Sequence, residues 1–130
     1  MNTTNIGFER GRDPKEILGV CILSEIYAKM IKCGWNSKFF TISRALCWAA
    51  ASGYNDYVKY LLNSGANTTD SNHFALRYAC FYEFYETVDL LLDAGANIDY
   101  VINWLDRTPD HTSHKLKNYI RNNKKGYEHY

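Results

Sequence analysis

The feature that most constrains this chain is an internal repeat with a period of 30 residues. Residues 45–67 read ALCWAAASGYNDYVKYLLNSGAN, and residues 75–97 read ALRYACFYEFYETVDLLLDAGAN, with no gap between the two aligned segments. Nine of the 23 aligned positions are identical, and these identities concentrate at small, apolar and glycine positions. Self-similarity at a fixed period of this length is typical of tandem structural units that stack on one another.

The spacing of the apolar residues inside each unit predicts a pair of helices. In the first unit, two stripes with i, i+3, i+4 spacing are formed by Leu46, Ala49 and Ala50 and by Val58, Leu61 and Leu62. Such spacing places apolar side chains on one side of a helix. Gly53 separates the stripes, and Gly65 follows the second one, where a helix favours a left-handed C-terminal residue. Because one helix pair cannot bury its apolar side alone, the units are expected to stack.

The run A-L-x-x-A-A-x-x-G-x-x-x-x-V-x-x-L-L-x-x-G-A-N of the first unit resembles the ankyrin repeat, whose pattern is T-P-L-H-x-A-A…G-H…V-V-x-L-L-x-x-G-A. The chain departs from that pattern at the corner, which reads Arg44-Ala45-Leu46-Cys47 and Phe74-Ala75-Leu76-Arg77. The glycine between the helices is Gly53 in one unit and Glu83 in the other. The family's usual period is about 33 residues, so the shorter period here predicts a short projecting loop. Thirty-residue units with an A-L-R-x-A corner are most similar to the ankyrin proteins of giant DNA viruses.

Two good repeats need capping units at both ends. Upstream, residues 23–36 align with residues 54–67 at a shift of 31, and Asp13 followed by Pro14 is a favourable helix start. Downstream, the segment from His111 to Asn123 is expected to form an amphipathic helix. The predicted organisation is an all-α ankyrin-repeat solenoid with a flexible tail at 1–12, a degenerate N-terminal capping repeat at 13–41, ankyrin repeats at 42–71 and 72–101, a degenerate C-terminal capping repeat at 102–123 and a tail at 124–130.

Composition bounds the class of protein. Apolar residues make up 46% of the chain and charged residues 22%, which is the balance of a folded globular protein. The formal net charge is +1, so no overall field attracts nucleic acid or a membrane. With no signal-like start and no long apolar run, we predict no membrane association and a cytoplasmic location. Four cysteines without a C-x-x-C pair are predicted to be free thiols: Cys21, Cys33, Cys47 and Cys80.

No set of residues in the sequence indicates catalysis. His111 and His114 could share one side of a helix, but nothing completes a four-ligand site, so we predict no metal. Phosphate-binding and dinucleotide-binding glycine motifs are missing as well, which predicts no cofactor and no small-molecule substrate. The ankyrin resemblance likewise implies a binding protein rather than an enzyme.

The resemblance also implies a binding surface, because ankyrin stacks use a concave face lined by loop tips and by exposed positions of each first helix. Carried over to this chain, those positions are Ser43, Ala51, Ser52, His73, Phe81 and Tyr82, with Thr68, Thr69, Asp70, Asp99 and Tyr100 in the loops. Phe81 and Tyr82 replace Ala51 and Ser52, and large exposed aromatics are typical of interface anchors. The alternative is that Phe81 packs against the C-terminal cap on Trp104.

Three functions follow from these observations. The first is a protein-interaction module whose partner is a host protein in the host-cell cytoplasm, if the viral resemblance holds. The second is a structural subunit of a viral particle or larger complex. The third is nucleic-acid contact through the C-terminal cap, because five basic residues and one acidic residue follow Asp110, whereas the segment from Tyr82 to Asp110 is strongly acidic. The sequence leaves the oligomeric state open.

Overall fold

The helices of this protein divide between two units along the chain, residues 1–38 and residues 39–130. The computed structural model describes residues 14–35, 40–108, 113–124 and 126–127, with side chains from residue 22 onward. Every regular element in those ranges is an α-helix, as the sequence predicts. Within the same ranges, no helix has both the length and the apolar character needed to cross a membrane.

The described part of the first unit contains the long helix α1, which spans Pro14–Lys32. It begins at the proline that the sequence marks as its start, while the proposed cap Asp13 lies outside the described residues. The helix is continuous where a helix pair is expected, because Ile22 stands at the position that Gly53 occupies one unit later. Its end matches the repeat pattern: Gly34 has a φ of 90°, and the next residue donates its backbone N–H back into the last turn.

The second unit contains the two good repeats and the C-terminal cap. Its helices are α2 (Ile42–Ser52), α3 (Asn55–Asn63), α4 (Asp70–Phe81), α5 (Tyr85–Asp93), α6 (Ile98–Arg107) and α7 (His114–Asn123). The two repeats end identically, with Gly65 at φ 94° and Gly95 at φ 96°. In each, the residue after the glycine donates its N–H to the carbonyl five residues earlier, at 3.0 Å. This bond satisfies a carbonyl that the helix end would leave unpaired, which confirms the predicted role of both glycines.

The helices of the second unit pack in two layers. The first helices α2, α4 and α6 lie side by side, and the second helices α3 and α5 lie side by side. Leu61 and Leu91 hold equivalent places in the shared core and are both completely buried. Neighbouring first helices run in the same direction, because Asn67 N donates to Ser43 Oγ (2.8 Å) at one end and Phe84 packs on Gly53 at the other.

The start of α6 corrects the sequence analysis, which places Asp99 and Tyr100 in a loop. Both lie in the first turn of α6, where Asn97 Oδ1 accepts hydrogen bonds from their backbone N–H groups at 2.9 and 3.4 Å. The helix extends back to Ile98 because Val101 and Ile102 are apolar and become buried, at 0% and 5% exposure. The preceding repeat has the polar residues Ser71 and Asn72 at those positions, so a right-handed helix there would bury no apolar side chain.

The C-terminal helix α7 packs against α5, one of the second helices. Leu116 and Ile120 are buried, and Tyr119 donates a hydrogen bond to Asp89 Oδ2 (2.5 Å) while stacking on Tyr85 at 4.5 Å between ring centres. The helix begins at His114. The proposed earlier start at residue 111 lies outside the described residues.

Candidate binding face

The residues that the sequence nominates for binding lie at two ends of one face. We call the side of the second unit formed by α2, α4 and α6 the first-helix face. Seven nominated residues lie at its loop end: Ser43, Thr68, Thr69, Asp70, His73, Asp99 and Tyr100. Four lie at its other end, near the turns between helices: Ala51, Ser52, Phe81 and Tyr82. The regular part of α4, from Phe74 to Phe81, separates the two groups by about 12 Å, so they do not form one continuous site.

At the loop end, the polar side chains of Ser43 and Asp70 accept hydrogen bonds from other groups of the protein. Ser43 Oγ accepts the backbone N–H of Asn67, which fixes the loop against α2. Asp70 Oδ2 accepts from the Ser71 hydroxyl (3.1 Å) and from the buried thiol of Cys47 (3.7 Å). Ser43 and Asp70 therefore hold the loop in place, whatever else they contact.

The segment that follows forms one left-handed turn. Ser71, Asn72 and His73 have φ values of 55°, 59° and 62°, and only after them does α4 become a regular right-handed helix. Each such residue costs roughly 1–2 kcal/mol because its Cβ crowds the next carbonyl. Arg77 offsets part of this cost, since its Nε and Nη2 donate to the carbonyls of Asn72 (2.9 Å) and Ser71 (3.3 Å). The turn also places His73 against the ring of Tyr100, at 4.4 Å between ring centres.

A compact cluster occupies the centre of the first-helix face. The guanidinium of Arg77 lies over three rings, at 5.1 Å from Trp104, 5.5 Å from Tyr78 and 5.9 Å from Phe74. Such stacking attracts the cation to the ring faces. Phe81 and Tyr82 extend the same group, because their ring centres lie 6.0 and 6.1 Å from that of Tyr78. We call this set the arginine–aromatic cluster: Phe74, Arg77, Tyr78, Phe81, Tyr82 and Trp104.

Phe81 and Tyr82 differ in their surroundings. Phe81 is half-buried, with its ring 6.3 Å from Trp104 and 6.0 Å from Tyr78, as the packing alternative proposes. Tyr82 lies edge-on to Phe81 at 5.1 Å and leaves 50% of its surface exposed. Of the pair, Tyr82 is therefore the side chain with surface left for a partner.

Sequence analysis did not nominate Arg77 of this face, nor the exposed Tyr54 in the turn that follows α2. Arg77 appears there only as a departure at the corner of the repeat, and Tyr54, which is 46% exposed, does not appear at all. The signal for Arg77 was available, because an arginine recurs 30 residues later at Arg107. No comparable signal marks Tyr54, since its equivalent Phe84 turns inward onto Gly53.

Charges of the C-terminal cap are paired within the protein. Lys115 lies 3.7 Å from Glu83, Lys117 lies 3.8 Å from Asp106, and Lys124 lies 2.6 Å from Asp93. Hydrogen bonds from Ser113 lower the pKa of Asp106, which keeps that carboxylate charged. The contrast between the acidic segment and the basic helix is thus largely satisfied internally, which leaves less charge for nucleic acid than the sequence suggests.

The described cysteines are unsuited to nucleophilic chemistry. Cys33, Cys47 and Cys80 are free thiols, as predicted, and the latter two are buried. Burial, strengthened by Asp70, raises the pKa of Cys47 to about 12, and burial also raises the pKa of Cys80. Both therefore remain protonated thiols at neutral pH. Among the residues that the structure describes, no group of three His, Cys, Asp or Glu side chains could hold a metal; His111 falls outside them.

The comparison with protein families agrees with this geometry. A family model described as ankyrin repeats, in three copies, matches residues 20–102, which is more than half of the chain. No curated protein and no solved structure shows a significant match. Ankyrin repeats are in general non-catalytic modules for protein–protein interaction. Given this match and the stacked, glycine-capped helix pairs, the chain belongs to the ankyrin-repeat family.

Proposed function

We propose that this protein binds a protein partner through its first-helix face, with the arginine–aromatic cluster as the centre of the contact. The observation that carries the proposal is the exposed ring of Tyr82, which lies beside Tyr78 and Phe81, the two rings that in turn pack near Trp104. Tyrosine, tryptophan and arginine dominate the energetically important positions of protein interfaces. Their mutual packing also orders the cluster before binding, so that less conformational entropy is lost when the partner arrives.

The proposal extends to the setting of the contact. We take the partner to be a host protein in the host-cell cytoplasm, because the 30-residue units and the A-L-R-x-A corner resemble the ankyrin proteins of giant DNA viruses. The protein acts by binding alone and not as an enzyme, which is consistent with the buried and protonated state of Cys47 and Cys80. A fluorescent fusion that concentrates in the nucleus of infected cells would contradict the cytoplasmic part.

The test is affinity capture from host-cell extract with quantitative mass spectrometry. Tyr82→Ala is the informative variant, because its ring is exposed, whereas Phe81→Ala would also remove packing on Trp104. Tyr60→Ala is the matched control, since it removes the same kind of ring from α3 in the other helix layer. We expect Tyr82→Ala to lose the captured partner and Tyr60→Ala to retain it.

Two results would overturn the proposal. A partner that Tyr82→Ala retains and Tyr60→Ala loses would show that the binding site lies on the second helices, α3 and α5. Capture of this same chain alone would favour the assembly-subunit function instead. Melting temperatures of both variants separate loss of contact from loss of fold.

A further inference from the structure

We infer that the partner segment docking on the first-helix face is acidic, and that its carboxylates bind Arg77 and Arg107. This inference rests on the proposed function and specifies the chemistry of the partner. The observation behind it is a difference in how the protein satisfies its own positive charges.

Arginines of the first-helix face have no carboxylate within ion-pair distance among the described residues. One lies on each first helix: Arg44, Arg77 and Arg107. By contrast, three lysines of the C-terminal cap each have such a carboxylate: Lys115, Lys117 and Lys124. Within the described residues, these three lysines thus have carboxylate partners, whereas the arginines of the first-helix face do not.

Arg77 is well prepared to bind a carboxylate. Of its five N–H donors, the hydrogen bonds to Asn72 and Ser71 use one on Nε and one on Nη2. The guanidinium carbon lies 5.1 Å from the ring centre of Trp104, and the other three N–H donors have no hydrogen bond among the described residues. A guanidinium edge matches the two oxygens of a carboxylate, and the ordered stack reduces the entropy lost on binding.

Arg107 extends the positive strip along the face. It follows Arg77 by one repeat of 30 residues and follows Trp104 by three residues on the same helix, so it lies on the side of α6 that Trp104 presents. Neighbouring helix axes lie about 10 Å apart, which also spaces the two arginines. Its Nε donates only to the carbonyl of Asn103 in its own helix, at 3.3 Å.

Among the described residues, no acidic side chain of the first helices lies within ion-pair distance of these arginines. Asp70 is held by Ser71 and Cys47, and Asp106 accepts from Ser113 (2.7 Å) and faces Lys117. Asp99 lies at the loop end, in the first turn of α6. Glu83 lies in the turn between α4 and α5, 3.7 Å from Lys115, and the other acids of the repeats lie on the second helices: Asp56, Glu86, Asp89 and Asp93. The first helices carry three arginines and three aspartates, so the face differs from the cap in the pairing of its arginines and not in net charge.

A protein segment fits this face better than a nucleic acid does. Three arginines would neutralise about three phosphates, which gives weak binding at physiological salt. The rings are also packed at tilted angles on one another, as in the pair Tyr78 and Trp104 at 54°, so few flat faces remain for stacked bases. Nucleic-acid binding is therefore an outcome that the test must be able to detect.

The test begins with selection of short random peptides, displayed on phage, against the immobilised full-length chain. We expect the enriched peptides to be rich in Asp and Glu and to contain an aromatic residue. The most enriched peptide is then synthesised, together with a version whose Asp and Glu are replaced by Asn and Gln, and both affinities are measured by fluorescence anisotropy at low and high salt. A loss of about tenfold or more is expected on neutralising the peptide, because charge-assisted hydrogen bonds disappear.

Variants of the protein locate the charge. Arg107→Gln is the primary variant, because Arg107 bonds only to its own helix and its removal leaves the left-handed turn intact. Arg77→Lys keeps the charge but loses the planar stack and is expected to weaken binding too. Arg121→Gln is the matched control: it removes the same charge from α7, where Arg121 bonds to Asn118, and is expected to leave the affinity unchanged.

The outcomes are distinct. Enrichment of neutral or basic peptides that still need Tyr82 would overturn the acidic partner while preserving the proposed function. No enrichment at all would overturn both. Single-stranded oligonucleotides that bind more tightly than the acidic peptide, with the same dependence on Arg107, would replace the protein partner with a nucleic acid.

Discussion

The two central repeats of this protein share a backbone and a core, yet their outward positions differ at almost every site. Both repeats bury the same alanines and leucines, and both end α3 and α5 in the same glycine cap. On the first-helix face, however, Cys47 of the first repeat is replaced by Arg77, and Ser52 is replaced by Tyr82. The core has therefore kept the stacking pattern, while the surface of the second repeat differs in the manner expected of a binding site.

Backbone strain follows the same division. The interhelix turn of the first repeat uses Gly53 at φ 75°, whereas the second uses Glu83 at φ 61°. The second repeat also contains the left-handed turn at residues 71–73. Strained residues persist where the surrounding structure determines them, and they concentrate at functional sites. The two repeats therefore share their buried leucines and glycine caps, whereas left-handed residues other than glycine and the arginine–aromatic cluster lie in the second repeat and the helix that follows it.

The largest effect that tests this comparison is in the shared core. Leu61→Ala and Leu91→Ala should each lower the free energy of unfolding by about 3 kcal/mol, because each removes a completely buried side chain and leaves a cavity. Urea denaturation measures both. If the two variants lost free energies of unfolding that differed by about 3 kcal/mol, Leu61 and Leu91 would not share one core.

Thiol reactivity sharpens the comparison at position 47. Cys47 lies beneath the loop of the next repeat, and its pKa is raised to about 12, so alkylation at neutral pH should be at least a hundredfold slower than in the unfolded chain. Because the folded-state pKa lies above the ordinary value of 9.0, the stabilising contribution is full below pH 9 and is lost as the pH rises toward 12. Mass spectrometry after alkylation gives the rate. Labelling of Cys47 as fast as the exposed Cys33 would show that the loop opens freely.

Substitutions in the two interhelix turns should have smaller effects on stability, and the two effects should be opposite. Glu83→Gly should stabilise the protein by about 1 kcal/mol, because glycine adopts a positive φ without crowding, although the contact with Lys115 is lost. Gly53→Ala should destabilise it by about 1–2 kcal/mol, since the added Cβ is strained at that φ and meets the Phe84 ring at 3.3 Å. Thermal unfolding of the two variants checks both signs. If both variants were stabilised, or both destabilised, backbone strain would not differ between the two interhelix turns as proposed.

The smallest expected effect concerns the docking of α7 on the second repeat. Lys124→Gln removes the contact with Asp93 and should cost about 0.5 kcal/mol, because Asp93 is largely exposed and water screens the pair. High salt should erase the difference between the variant and the parent in urea denaturation. A cost of several kcal/mol would mean that the C-terminal cap is held mainly by this ion pair.

Periodic features of the fold were predictable from the sequence because each depends on local chemistry. Gly65 and Gly95 mark helix ends because a left-handed residue is needed there, and the leucine stripes identify the buried side of α3 and α5. The nomination of Tyr82 came from the same alignment, because a large ring stands where the first repeat has Ser52.

Features that depend on tertiary competition were not predictable. The segments after Asn67 and Asn97 begin with the same cap, but one becomes a left-handed turn and the other a helix. The choice depends on burial of Val101 and Ile102 and on the two carbonyl contacts of Arg77, neither of which leaves a local signal. For the same reason, sequence analysis misplaced Asp99 and Tyr100 and overlooked the stacking of Arg77 on Trp104.

The proposed function assigns binding to the second repeat and not to the first. The direct measurement is the affinity of the captured partner, by isothermal titration calorimetry, for Tyr82→Ser and for Tyr54→Ala, which remove similarly exposed rings from the two repeats. We predict a loss of at least about tenfold for Tyr82→Ser and little change for Tyr54→Ala, with both variants still folded. Unchanged affinity of Tyr82→Ser together with a loss in Tyr54→Ala would contradict the account.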